Sequence, residues 1–150
     1  MDILESLTSD FDLLRDLTID LTIATNAQDR ESHFRQLARL HDVTMKAQSA
    51  ALNIVSLEAI EFTKRKLLER SDIMEDIAIS IQRTNRPELR DTKMDLYSDL
   101  VLQRITDTER DILPYIAEKV PEPDRRHMGG VYENYRDIAL DHDFHHPRAV

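Results

Sequence analysis

Four long stretches of this chain repeat apolar residues at steps of three and four, a period that a helix bundle satisfies and a sheet does not. The first stripe is Leu4, Leu7, Phe11, Leu14 and Leu21, and the second is Phe34, Leu37, Leu40, His41, Met45, Ala51 and Leu52. Ile60, Leu67, Met74, Ile77 and Ile81 make the third. The fourth, inside Asp99–Val120, aligns Leu100, Val101, Ile105, Ile112 and Ile116. With two glycines, no cysteine and no tryptophan in 150 residues, the chain has few turn formers to divide strands. Its length suits one domain with a real core.

The punctuation predicts the boundaries. Helix one should run from Ile3 to Ala24 behind an Asp2 N-cap, and a polar join, Thr25–Asp29, should lead to helix two at Arg30–Leu52. Asn53–Ser56 should bend the chain, with Ser56 capping helix three at Leu57–Gln82. Arg86 precedes a proline and disfavours helix, so Thr84–Pro87 is a break. Helix four should cover Glu88–Lys119, with a kink or offset near Pro114, and Pro121 and Pro123 should end it. A short fifth helix is expected at Asp124–Ala139, weakened by Gly129 and Gly130. Long helices with short joins predict an up-down-up-down four-helix bundle.

Polar residues interrupt these stripes. Arg104 and Thr108 fall inside the fourth, and Ser71 interrupts the third. On an inward face such groups mark a site or the remains of one.

At these positions the chain resembles the hemerythrin-like, HHE cation-binding domain family over Met1–Arg136. In LTSDFDLLRDL the frame of the family's Asp-His pair is kept, with Phe11 where the histidine would stand. LARLHDVTMKA keeps His41 but has Met45 in the glutamate position. RSDIMEDI has Ser71 for a histidine, and RITDTERDILP has Arg104 for a histidine and Thr108 for a glutamate, while Glu109, Leu113 and Pro114 remain. Tyr132 and Tyr135 of the closing helix also match. The resemblance implies a hemerythrin-like bundle over residues 1–140, a polar tail over 141–150, and a di-iron site largely lost. Phe11, His41, Met45, Ser71, Arg104 and Thr108 are the ancestral-site positions, expected to line the bundle core. One imidazole among Phe, Met, Ser, Arg and Thr does not hold two irons, and a permanent guanidinium charge repels a cation. No metal and no other cofactor is therefore expected.

Arg104 has two readings. Either it replaces the lost metal charge and pairs with a carboxylate from Asp10, Glu69, Asp72, Glu75 or Asp107, with His41 and Ser71 beside it, or a small rotation lets it snorkel outward. His41 reads as a core histidine bonded to Thr44 or Gln48 rather than as a ligand. Met45, Met74 and Met94 suit adaptable core filling better than a soft-metal site. His142, His145 and His146 with Asp141 and Asp143 make a cation-prone tail, which a solvated reading explains as well. Lys64, Arg65, Lys66 and Arg70 read as a solvated face, as do the carboxylate pairs Glu58 with Glu61 and Asp137 with Asp141.

The formal net charge of −9 disfavours binding to nucleic acid or anionic membranes. Without cysteine there is no disulfide or thiolate chemistry, and no phosphate loop or nucleophile motif is present. The MDILESLTSDFD opening lacks the regions of a signal peptide, so a cytoplasmic location is expected. The expected function is a non-catalytic binding or regulatory module with a protein partner or small ligand, as monomer or homodimer. The alternative is a divergent metalloprotein that binds iron or another cation through His41 for oxygen or metal sensing.

Overall fold

In the structure, a computed structural model, residues 1–145 are described, with side chains through Asp141. They form an all-α bundle, and no strand occurs among them. Helix α1 spans Ile3–Ile23, and Asp2 caps it by accepting from the Leu4 amide at 2.9 Å. Helix α2 spans Ala27–Leu52. It starts three residues before the expected Arg30 because Asn26 caps it, accepting from the Asp29 amide at 2.8 Å.

Helix α3 spans Glu58–Arg83. Its cap position is Leu57, which offers no side-chain bond, so Ser56 sits one residue too early to serve as expected. Glu58 and Glu61 in the first turn complement the positive end of the helix instead. The fully buried apolar residues of α3 are Ile60, Leu67, Met74 and Ile81, a single row at seven-residue steps. That row is narrow, and Phe62, Leu68 and Ile73 stay exposed.

Helix α4 spans Pro87–Asp107 with its proline in the first turn, where the missing N–H costs nothing. The expected single helix to Lys119 is divided. Thr108–Ile112 is a π-helical turn, closed by the Leu113 amide on the Thr108 carbonyl, and α5 follows at Leu113–Lys119. Pro114 lacks the N–H that an α-helix would direct at the Arg110 carbonyl, and the chain absorbs this with one extra residue per turn.

The fifth long helix departs most from expectation. Helix α6 runs Glu122–His145, past both the expected Ala139 end and the 140/141 boundary of a polar tail. Gly129 does not weaken it. The Met1 carbonyl oxygen lies 1.9 Å from where a Cβ at Gly129 would stand, so glycine is what lets the start of the chain lie against α6. Met128 and Tyr132 are fully buried, and α6 packs on α1 and α2 more extensively than α3 packs on α2 or α4. The core therefore extends beyond four helices, with α6 closing it on the α1–α2 side and α3 adding Ile60, Leu67, Met74 and Ile81. No helix among the described residues is long and apolar enough to cross a membrane. The side chains of His142, His145 and His146 lie outside the described residues.

Candidate functional site

Three polar side chains of α2 share one inward line. His41, Thr44 and Gln48 follow steps of three and four, and all are 0 % exposed. Opposite them, α4 presents Arg104, also 0 % exposed and among the largest fully buried side chains of the molecule. Its Nη2 donates to Gln48 Oε1 at 2.5 Å and its Nη1 to Thr44 Oγ1 at 3.4 Å. The guanidinium carbon lies 5.2 Å from the Phe11 ring centroid, which supplies a cation–π contact from α1. Tyr97 stands edge-on to His41, their ring centroids 6.1 Å apart.

This cluster is underbonded. Neither ring nitrogen of His41, nor Nε of Arg104, nor Nε2 of Gln48 has a hydrogen-bond partner in the protein. Thr44 is spent on its own helix, its hydroxyl donating to the His41 carbonyl at 3.0 Å. Buried polar groups are seldom left this way, and four in one cluster set the place apart. Burial pushes Arg104 down to about 10, with repulsion from Arg70 adding to it, while Tyr132, Tyr97 and Asp10 act the other way. At neutral pH it is still a cation. Burial, then repulsion from Arg104 and Arg70, holds His41 well below the usual imidazole range, so it is neutral.

The expected carboxylate partner of Arg104 is absent among the described residues, and so is the outward snorkel. Asp10 is committed elsewhere, accepting from Tyr132 Oη at 2.6 Å and from Arg136 Nη1 at 3.0 and 3.1 Å. Asp107 pairs with Arg70 and Arg110, and Glu69, Asp72 and Glu75 are exposed. The helix rotations that bury Arg104 thus leave it neutral partners only. His41 likewise does not use the side chains of Thr44 or Gln48 as its ring partners. Phe11, His41, Met45, Arg104 and Thr108 are all buried, but Ser71 is half-buried and lines the α2–α3 cleft beside Lys46, Glu75 and Tyr135. Ser71 is displaced because the one buried row of α3 passes through Leu67 and Met74.

No family model, curated protein or solved structure matches this chain. The bearing of the residues on a di-iron centre therefore rests on their own chemistry. Phe11, Met45 and Thr108 are poor iron ligands, His41 is a single imidazole, and the Arg104 charge stands within the same interior. Among the described residues no three His, Asp or Glu side chains gather as a metal would need. These residues do not fit a di-iron group.

The polar interior on the other side was not visible in the spacing. Asp10, Tyr132 and Arg136 tie α1 to α6, with Ser6 donating to Glu133 at 2.8 Å and Arg125 to Asp2 at 2.9 Å. The available signals were Asp10 inside the α1 stripe and the four-residue steps Met128, Tyr132, Arg136. In the basic run of α3, Arg65 and Lys66 are exposed, while Lys64 and Arg70 are half-buried. Lys64 pairs with Glu61, Arg70 with Asp107, and Lys66 Nζ lies 4.8 Å from the Phe62 ring centroid. Met45, Met74 and Met94 fill the core.

Proposed function

We propose that this chain is a hemerythrin-like bundle without a di-iron site, acting as a non-catalytic binding or regulatory module. The observation that carries this reading is a buried cation, Arg104, held by an amide, a hydroxyl and an aromatic face in the interior where cation ligands would be required. The non-catalytic part is supported by His41. An imidazole held well below its ordinary range, with a neighbouring guanidinium, is a poor proton carrier near neutrality. The unpaired donors of the cluster are instead suited to recognition.

A rival reading, a divergent cation-binding protein for oxygen or metal sensing, draws on the two unpartnered nitrogens of His41. The positive charges of Arg104 and Arg70 oppose it. The test is iron content of untagged protein loaded with ferrous iron without air. The expected result is no oxo-bridged absorption once air is admitted. Stoichiometric iron, about two per chain as a dinuclear centre requires, would overturn the metal-free reading.

A further inference from the structure

A groove of about 330 Å³ lies between α3 and the π-helical end of α4. Its volume is at the lower end for small-molecule sites. Four cationic side chains line it, Lys66, Arg70, Arg104 and Arg110, against two carboxylates, Asp107 and Asp111. A positive surplus here is contrary to the whole chain, whose formal net charge is −9. The groove also has apolar walls, Leu67 and Ile112 with the ring of Tyr115.

Behind this surface sits the underbonded cluster. Arg104 belongs to both, and its Nε has no partner in the protein while each terminal nitrogen makes one hydrogen bond. Thr108 lines the groove as well, at the start of the π turn, and its hydroxyl donates to the Arg104 carbonyl at 2.9 Å. The π turn therefore sits where Arg104 meets the groove, a placement that such turns often have at binding sites.

We propose that this groove binds a small organic carboxylate, its acid group held by Arg70 and drawn by the charge of Arg104 buried behind it, and its apolar body lying along Leu67, Ile112 and Tyr115. The inference rests on the reading of the chain as a binding module and names the ligand class of that same interior. The sign of the ligand follows from the surplus of cations. The cations of the groove outnumber its carboxylates by four to two, and Arg70 and Arg110 hold Asp107 while Arg110 also holds Asp111, so an added acid group meets uncompensated positive charge. The apolar body follows from the walls, which an inorganic ion would leave unused.

The test is calorimetric titration of octanoate into the full chain, with octylammonium and inorganic phosphate as parallel arms. Octanoate should bind at one saturable site, and neither of the other two should. Arg104→Met and Arg70→Gln should each weaken octanoate by about tenfold or more, the scale of a lost charge-assisted bond. Arg70 is partly exposed, so Arg70→Gln remains informative if the Arg104 variant fails to fold. In a nitrogen-15 spectrum the Arg104 Nε–H resonance should shift on adding octanoate. Absent octanoate binding, equal binding by both variants, or octylammonium binding as well as octanoate would each overturn the proposal. Phosphate binding as tightly as octanoate would overturn the role given to the apolar walls. Iron content measured on the same preparation separates the two claims. Iron-free protein that ignores octanoate refutes only the ligand, whereas stoichiometric iron refutes the metal-free reading.

Discussion

At the α1–α6 seam the buried Asp10 carboxylate accepts from a tyrosine and an arginine, with both oxygens used. At the α2–α4 seam the buried Arg104 guanidinium meets an amide and a hydroxyl, with Nε left without a partner. Both are charged groups inside the same bundle, and Phe11, next to Asp10 in sequence, lies against the Arg104 guanidinium in space. The first arrangement is closed, since every strong acceptor has a donor of matching charge. The second has surplus donors and surplus positive charge. A closed network makes helices adhere in one register, whereas a surplus is what a ligand answers. On the proposed reading, the two seams thus divide the work between holding the bundle and recognition.

The largest effect is expected at Phe11, which α1 contributes beside both groups. Phe11→Ala should cost about 3–5 kcal/mol in urea unfolding, because a fully buried ring is removed from the centre of the core. A loss below about 1 kcal/mol would show that the ring is not packed in the core against Arg104. Next, Asp10→Ala should cost about 3 kcal/mol, the low end for a broken buried pair, since Arg136 is partly exposed and water can reach it.

The third effect depends on pH. His41 has a folded pKa well below the unfolded value of 6.5, so the unfolded chain takes up a proton that the folded one refuses. The stability it contributes is present above about pH 6.5 and is lost as pH falls below it, by up to about 1.4 kcal/mol per pH unit. The groups that set this are the surrounding apolar core, Arg104 and Arg70. Unfolding curves of the parent and His41→Phe should converge in slope above that pH and diverge below it. The smallest effect is Arg104→Met, expected within about 1 kcal/mol of the parent. It strands no carboxylate and exchanges a buried charge for an apolar chain. If it costs as much as Asp10→Ala, the guanidinium is structural cement and the contrast between the seams fails.

Much of the fold was legible because it is written in periodicity. The stripes of α1 and α2 appear as buried faces, and the disturbance at Pro114 was readable from the missing N–H. The size of α6 was not readable, because Gly129 looks like a helix breaker until Met1 is seen lying against it. At the site, Arg104 stood out as a charge in an apolar stripe. Its partners did not, since which of several nearby polar groups a long side chain meets depends on helix rotation. Asp10 was first among the possible partners and proved to be occupied by residues of α6.

The seam between α1 and α6 also has a bearing on time. Its hydrogen bonds join residues 122, 126 and 127 positions apart in sequence. During synthesis α1 is therefore complete long before Tyr132 and Glu133 exist, and Asp10 waits with no acid-matching donor from that seam. Loop closure over such a span is slow compared with helix formation, so the seam should close late. Pulsed hydrogen exchange during refolding would show the α1 amides gaining full protection together with those of α6, after α2. A ribosome-tethered chain truncated before Met128 would lack the cover for one side of α1, leaving Leu7 and Phe11 open to chaperones until the last helix emerges.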